Sequence, residues 1–532
     1  MTMTDTRAEA GATSVSDGPA PELGGLAGLL TTVDHKRMGR TWIIASLVFL
    51  VVAGVMGELV GAERLSTDEI DILGDGFTQS YSLHAVAAVF LFLLPLWLGL
   101  ATYLVPLQIG ARGIAFPRAA AAGLWTWLVA SLVLLASYLA DGGPGGGDGD
   151  GVDLWILALG ALVVALLVST VSVVTTALAM RAPGVTLART PAFSWAAVAG
   201  GVMLLVTLPL MLANLLLIFL DHHYGQTFVD DSFGVFLPLL WVFRQPTIYV
   251  LALPALGVIA EVVPVFSRSR YARFGLVQGA IAAVALFGFG AFAQQRLTPE
   301  LAEVSEEAVF IGLSILVLAP LLLLTALVGD AIRRGDPRLD SPLLFGIGAL
   351  LLLLAGAAAG AVSVIEAFEL QDTTWESGQM HLVLLGGGGL AGFGALHYWA
   401  PKLWGRRMGE GAAKLTFLLL FLGVVLLAAP DLVSGALDQP LGRAVFEGDD
   451  AIEPLNAVSA GGGVVVVLGV LVFLLNLLGL RRAEPAGDDP WDGHTLEWAT
   501  ASPPLPGNFT GPLPDVSSDR PLLDQSPTEA PA

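Results

Sequence analysis

The chain has 532 residues, of which 55% are hydrophobic and 13% are charged, and its mean hydropathy is +0.75. Its formal net charge is -21 at pH 7, and it contains no cysteine. Disulfides, iron–sulfur clusters, thiolate-ligated haem and cysteine-bound dinuclear copper are therefore excluded for this chain. The apolar composition is typical of a polytopic membrane protein, and no nucleic-acid-binding signature is present.

The first segment, residues 1–28, is rich in Ala, Gly, Ser, Thr and acidic residues. Such a composition cannot bury a core, so we predict a disordered cytoplasmic arm here. No cleavable signal peptide is expected, because the first apolar span begins near residue 41, behind a polar segment.

Residues 29–482 are predicted to form the membrane domain. A helix that crosses a bilayer needs about 20 predominantly apolar residues, and backbone polar groups in lipid must be hydrogen-bonded internally. We therefore expect an all-α bundle of twelve transmembrane helices. The predicted spans lie near residues 41–62, 83–107, 119–141, 152–180, 193–220, 233–262, 273–293, 308–330, 342–364, 378–401, 412–430 and 457–480.

The connecting loops alternate in charge. Basic residues precede the first span and follow every even-numbered span, and the remaining loops are acidic. The positive-inside rule then places both termini in the cytoplasm. The acidic outer loops either attract a basic soluble partner or are solvated surface. Residues 483–532, rich in Pro, Asp and Ser, are predicted to be a second disordered cytoplasmic tail.

Of the seven histidines, only His84 and His381 lie inside apolar runs away from the cytoplasmic helix ends. Each follows an acidic outer loop and precedes an inward-running stretch, so both are expected at matching depth toward the outer leaflet. A metal-ligating or ionisable side chain in such a position is a candidate functional residue. If their helices face each other, the two imidazoles can ligate one haem iron axially. The alternative is two unrelated, hydrogen-bonded core histidines.

Three motifs, in this order along the chain, closely resemble subunit I of haem-copper oxidases, especially cytochrome c oxidase. They are Thr32-Val-Asp-His-Lys-Arg-Met-Gly39, Leu104-Val-Pro-Leu-Gln-Ile-Gly-Ala111 with Ala115-Phe-Pro-Arg118, and Asp489-Pro-Trp-Asp-Gly-His-Thr-Leu-Glu-Trp-Ala-Thr500. The resemblance covers about residues 30–510. It implies that His84 and His381 match the two axial ligands of the family's low-spin haem. It also implies a prokaryotic plasma-membrane protein whose partners are subunit II-like and III-like membrane subunits or another oxidase complex, and a soluble electron carrier becomes a candidate partner at the acidic outer face.

The resemblance fails where oxygen chemistry is expected. The family's four histidine ligands to copper and to the high-spin haem correspond to glutamines: Gln245, Gln294, Gln295 and Gln379. A neutral amide is a poor ligand for copper or haem iron, so no copper is expected and oxygen reduction is doubtful. Tyr249 matches a tyrosine that the family joins covalently to a copper-ligand histidine. That bond cannot form with Gln245, so we interpret Tyr249 as a bundle tyrosine.

The family's proton routes are missing as well. Gly113 stands where the family carries an entry aspartate, and Thr247 where it carries a glutamate. No lysine occurs between Lys36 and Lys402. Without buried ionisable relays a proton has no evident path through the hydrocarbon.

Two further positions concern the haem itself. Met56 replaces the family's arginine near the haem formyl group, so a b-type haem is at least as well supported as an a-type haem. Asp372 and Arg443 are weak candidates for the propionate region, although helix capping explains Asp372 equally well. Three functions remain open: a haem-bearing electron relay or accessory subunit, a metal-free scaffold, and an oxidase with unconventional ligands.

Overall fold

The computed structural model describes residues 25–66, 72–226, 248–297, 303–446 and 448–525. The chain divides into two compact units, Met1–Thr32 and Val33–Ala532. In the first unit the described residues form one short helix, α1 (Gly25–Leu30). This helix begins in the predicted disordered arm, residues 1–28, and ends two residues beyond it; residues 1–24 lie outside the described ranges.

The second unit is a helical bundle, and no strand occurs among its described residues. The long helices are α2 (His35–Glu63), α3 (Gly74–Gln108), α4 (Pro117–Leu139), α5 (Gly149–Ala179), α6 (Ala192–Tyr224), α7 (Ile248–Phe266), α8 (Phe274–Leu297), α9 (Ala308–Arg334), α10 (Ser341–Ser363), α11 (Thr374–Trp404), α12 (Glu410–Gly435) and α13 (Ile452–Arg482). All except α8 are long and apolar enough to cross a membrane, and the apolar part of α8 spans Phe274–Gly288. The predicted all-α membrane bundle is confirmed. The shorter apolar helix α8 coincides with the predicted seventh span, residues 273–293.

Local sequence signals explain several helix ends. Asp34 caps α2 by accepting a hydrogen bond from the Lys36 backbone amide, and Asp148 caps α5 by accepting one from Gly151. Such side-chain acceptors satisfy amides that have no partner inside the helix. At the C-terminal end of α11, Gly405 adopts a left-handed conformation with φ 72°. Only glycine does so without strain, so the helix ends there.

The helices α3 and α11 lie in the interior of the bundle, and both change geometry next to a candidate histidine. A π-helical segment follows His84 at Ala87–Leu93, and a second one begins at His381 and ends at Gly389. Insertions of π-helix are frequent at functional sites because they re-aim the neighbouring side chains. Both histidine-bearing helices therefore share the same local distortion.

The prediction of an unpacked tail is wrong for residues 483–525. Trp491, Leu496 and Trp498 are buried, and the Trp491 indole donates a hydrogen bond to the carbonyl of Tyr398 on α11. The average composition of the tail is polar, but its aromatic side chains fill space at the ends of the long helices. The segment ends in a short helix, α14 (Pro521–Gln525).

Candidate functional site

His84 and His381, 297 positions apart in the numbering (381 − 84), lie face to face in the fold. Their ring centroids are 6.3 Å apart and the ring planes are inclined by 59°. A metal–imidazole bond of about 2.0–2.1 Å plus a ring radius of about 1.2 Å would place the centroids of two imidazoles on opposite sides of one metal ion about 6.5 Å apart. The observed separation therefore fits one metal ion held between the two rings.

The Nδ1 atom of each ring faces the protein. His84 Nδ1 lies 2.8 Å from the carbonyl oxygen of Ala53 on α2. His381 Nδ1 lies 3.7 Å from Oδ2 of Asp431 on α12. Neither Nε2 atom has a hydrogen-bond partner within the described ranges, so both remain available as ligands. In metal sites the non-ligating imidazole nitrogen usually faces such an acceptor, which fixes the ring orientation.

Close helix packing supports this arrangement. A Cβ atom at Gly57 of α2 would lie 2.8 Å from His84 Cε1 and Nδ1, so only glycine fits beside that ring. On α11, a Cβ at Gly386 would lie 2.8 Å from Leu352 Cβ on α10. The glycine run of α11 thus allows a neighbouring helix to approach closely, which is the use of small residues in membrane helices.

Asp431 is a residue of the site that lies in none of the sequence motifs. Its side chain is 1% exposed, and it accepts hydrogen bonds from Ser377 Oγ (3.1 Å) and Ser459 Oγ (3.0 Å). Arg64 Nη2 lies 3.5 Å from Asp431 Oδ1. The available signal was an acidic residue directly after the predicted apolar span at 412–430. The structure places it inside α12, where a buried acidic residue is costly and therefore a candidate functional position.

The donor set fits an axial pair on haem iron, because two neutral nitrogen donors are accessible at the required separation. Residues that could bind the haem propionates are less evident than the two ligands. Arg64 is engaged by Asp431, and Arg443 is exposed. Asp372 sits in a left-handed turn with φ 59°, where its backbone amide donates to Glu376 Oε1.

The structure describes some of the positions to which the family resemblance assigns the oxygen site. Gln379 is buried on α11, and Tyr249 is buried on α7. Gln294 and Gln295 lie on α8, but their side chains are outside the described set. Gln245 and Thr247 lie outside the described residues. Gly113 lies in the loop between α3 and α4, with open space where a side chain would start.

Comparisons with known proteins agree with this architecture. The family model described as "Cytochrome C and Quinol oxidase polypeptide I" matches residues 37–465. A probable cytochrome c oxidase subunit 1-alpha of Streptomyces avermitilis is 30% identical, with 93% of this chain and 89% of the relative covered. Cytochrome c oxidase subunit 1 of Corynebacterium diphtheriae is 30% identical, with 95% and 94% covered.

A more distant bacterial relative and a solved structure extend the likeness. Cytochrome c oxidase subunit 1 of Bacillus subtilis is 28% identical, with 90% of this chain and 80% of the relative covered. A solved haem-copper terminal oxidase dimer shares the fold with a TM-score of 0.68 and 15% identity, over 85% of this chain and 84% of that one. Because the family match spans most of the sequence, this chain belongs to the cytochrome c and quinol oxidase polypeptide I family.

Proposed function

We propose that this cytochrome c oxidase subunit I-like protein binds one low-spin haem, of b or a type, through His84 and His381. It serves in respiratory electron transfer or as an accessory subunit. The observation that carries the proposal is the 6.3 Å separation of two imidazoles whose Nε2 atoms are uncommitted. Members of this family normally bind haem. When bound, such a haem supplies one-electron transfer, and two histidine ligands leave no open position for oxygen.

Different residues of the chain orient the two histidines that would hold the haem. The carbonyl of Ala53 fixes the ring of His84 from the α2 side. Asp431 faces the ring of His381 from the α12 side. The two rings thus face partners on two separate helices, and this arrangement supports their role as an oriented pair of ligands. Glutamine at Gln245, Gln294, Gln295 and Gln379 is the reason why we expect no copper and no oxygen reduction.

The proposed setting is a prokaryotic plasma membrane with both termini in the cytoplasm. Subunit I of oxidase complexes usually assembles with other subunits, and we propose subunit II-like and III-like proteins or another oxidase complex as partners. Exposed acidic residues such as Asp148, Asp150 and Asp450 would face the outside. They favour the approach of a basic soluble electron carrier.

One observation favours a second function, a metal-free scaffold. Arg64 is partly buried and contacts Asp431, the carboxylate next to His381. Its guanidinium is bound by Asp431 and Asn456, so it is not available to bind a haem propionate. A scaffold would keep the packing of the family and none of its cofactors.

A spectrum of the purified protein reduced with dithionite distinguishes these functions. We expect the bands of one six-coordinate low-spin haem, unchanged by carbon monoxide, because both axial positions are filled. Protein without haem would favour the scaffold. A haem that binds carbon monoxide, together with stoichiometric copper, would instead identify an oxidase with unconventional ligands.

Replacing Gly57 with alanine is expected to weaken haem retention about 10-fold, as loss of a partner that orients a ligand does. The new methyl group would collide with His84 Cε1 and Nδ1 and push the ring from the Ala53 carbonyl. Gly54→Ala is the matched control on the same helix, because a Cβ there meets nothing within 4 Å. Haem loss during dilution, followed by absorbance, measures the difference. Equal retention in both variants would contradict this role of Gly57.

A further inference from the structure

The carboxylate of Asp431 is buried beside one of the two proposed haem ligands and belongs to none of the sequence motifs. Its Oδ2 lies 3.7 Å from His381 Nδ1 and also accepts the hydrogen bond from Ser377 Oγ. A distance of 3.7 Å is longer than a direct hydrogen bond. Hydrogen bonds at functional sites are often long without the ligand and tighten when it binds.

The other oxygen of this carboxylate is held from two sides. Ser459 Oγ on α13 donates to Oδ1 at 3.0 Å, and Arg64 Nη2, just after α2, lies 3.5 Å from the same atom. The same Arg64 nitrogen lies 3.4 Å from Asn456 Oδ1. Donors from three separate helical segments therefore fix the orientation of Asp431, counting Ser377 on α11.

The two histidines consequently face different partners. His84 Nδ1 meets a neutral carbonyl, that of Ala53. His381 Nδ1 has no hydrogen-bond partner within the described residues, and an ionisable carboxylate lies next to it. A carboxylate behind an imidazole makes that ring a stronger donor to a metal than a carbonyl does.

We infer that Asp431 is a positioning residue that orients His381 and lowers the midpoint potential of the haem, while Arg64 partly neutralises its charge. This inference rests on the proposed haem site. Oxidised iron carries one more positive charge than reduced iron. A buried negative charge nearby therefore stabilises the oxidised form more, and the effect is large where the dielectric constant is low. Removing the positive charge of Arg64 would strengthen the same effect.

Redox titration of the full-length, haem-loaded protein tests the inference with variants of opposite expected sign. Asp431→Asn keeps the shape but removes the charge, and should shift the ferric–ferrous equilibrium at least tenfold toward ferrous haem, a rise of about 59 mV. Arg64→Gln should lower the potential, because Asp431 is then less neutralised. Ser377→Ala should also lower it, since Oδ2 loses a competing donor. The ferric EPR spectrum reports the change in ligand strength independently.

Two results would overturn the inference. One is a haem that remains bound in these variants while its ferric–ferrous equilibrium constant changes less than threefold. The other is a shift in the same direction for Asp431→Asn and Arg64→Gln, as general loosening of the site would produce. If Asp431→Asn does not fold, Arg64→Gln and Ser377→Ala still decide the sign. Absence of haem from the unmodified protein would instead refute the proposed function itself.

Discussion

Replacing either His84 or His381 with alanine is expected to abolish the low-spin haem spectrum. Each imidazole would supply one of the two axial bonds, and the surrounding side chains offer no substitute at the same position. Haem content per protein, measured by absorbance after purification, should fall to background in both variants. Free imidazole added to the alanine variants should restore part of the spectrum, because it can occupy the space that the side chain left.

His397→Gln is the matched control for this prediction. His397 is buried on α11, the same helix as His381, but its Nδ1 lies 2.8 Å from the carbonyl of Phe393 in its own helix. Its loss perturbs the bundle without touching the proposed ligands. A spectrum that survives in both His84→Ala and His381→Ala would refute the ligand assignment, and one lost equally in His397→Gln would point to general unfolding.

Replacing Arg520 with methionine is expected to release the tail from the membrane domain. Arg520 is 1% exposed, and its Nη1 lies 3.7 Å from Oε1 of the fully buried Glu261 on α7. Burial and the Glu261 charge raise the pKa of Glu497 in the tail, and Arg520 is the cation that faces Glu261. Removing one partner of a buried ion pair costs roughly 3–5 kcal/mol, which raises the detached population more than a hundredfold.

Limited proteolysis of residues 483–525 measures that population. Glu261→Gln combined with Arg520→Met is the decisive control, because it removes both charges of the pair and should restore most of the protection. Arg520→Lys keeps the charge and should lose less. If Arg520→Met were as resistant to protease as the unmodified protein, the pair would not hold the tail in place.

The helices of the membrane domain could be predicted from the sequence because their cause is local. A run of about 20 apolar residues must form a helix in lipid, whatever its neighbours are. The same reasoning predicts a shared depth for His84 and His381, since each stands near the start of its apolar run. The glutamines at the four positions where the family resemblance implies histidine ligands were equally readable, because a residue type alone decides which donor atoms it offers.

Contacts between distant segments could not be predicted in this way. The carbonyl of Ala53 behind His84 and the carboxylate of Asp431 behind His381 come from helices that no local pattern pairs with α3 and α11. The tail was mispredicted for a related reason. Its composition describes an average, whereas Trp491 and Arg520 are buried by particular partners on α11 and α7.

The sequence by itself determined that this chain is a helical membrane protein, and it predicts two histidines at one depth and amides where the family resemblance implies imidazoles. The tertiary structure alone decided that the two rings lie 6.3 Å apart and that a carboxylate faces only one of them. The physical reason is that hydrophobicity acts residue by residue along the chain. The direction and partner of an imidazole depend instead on the packing of helices that are far apart in sequence.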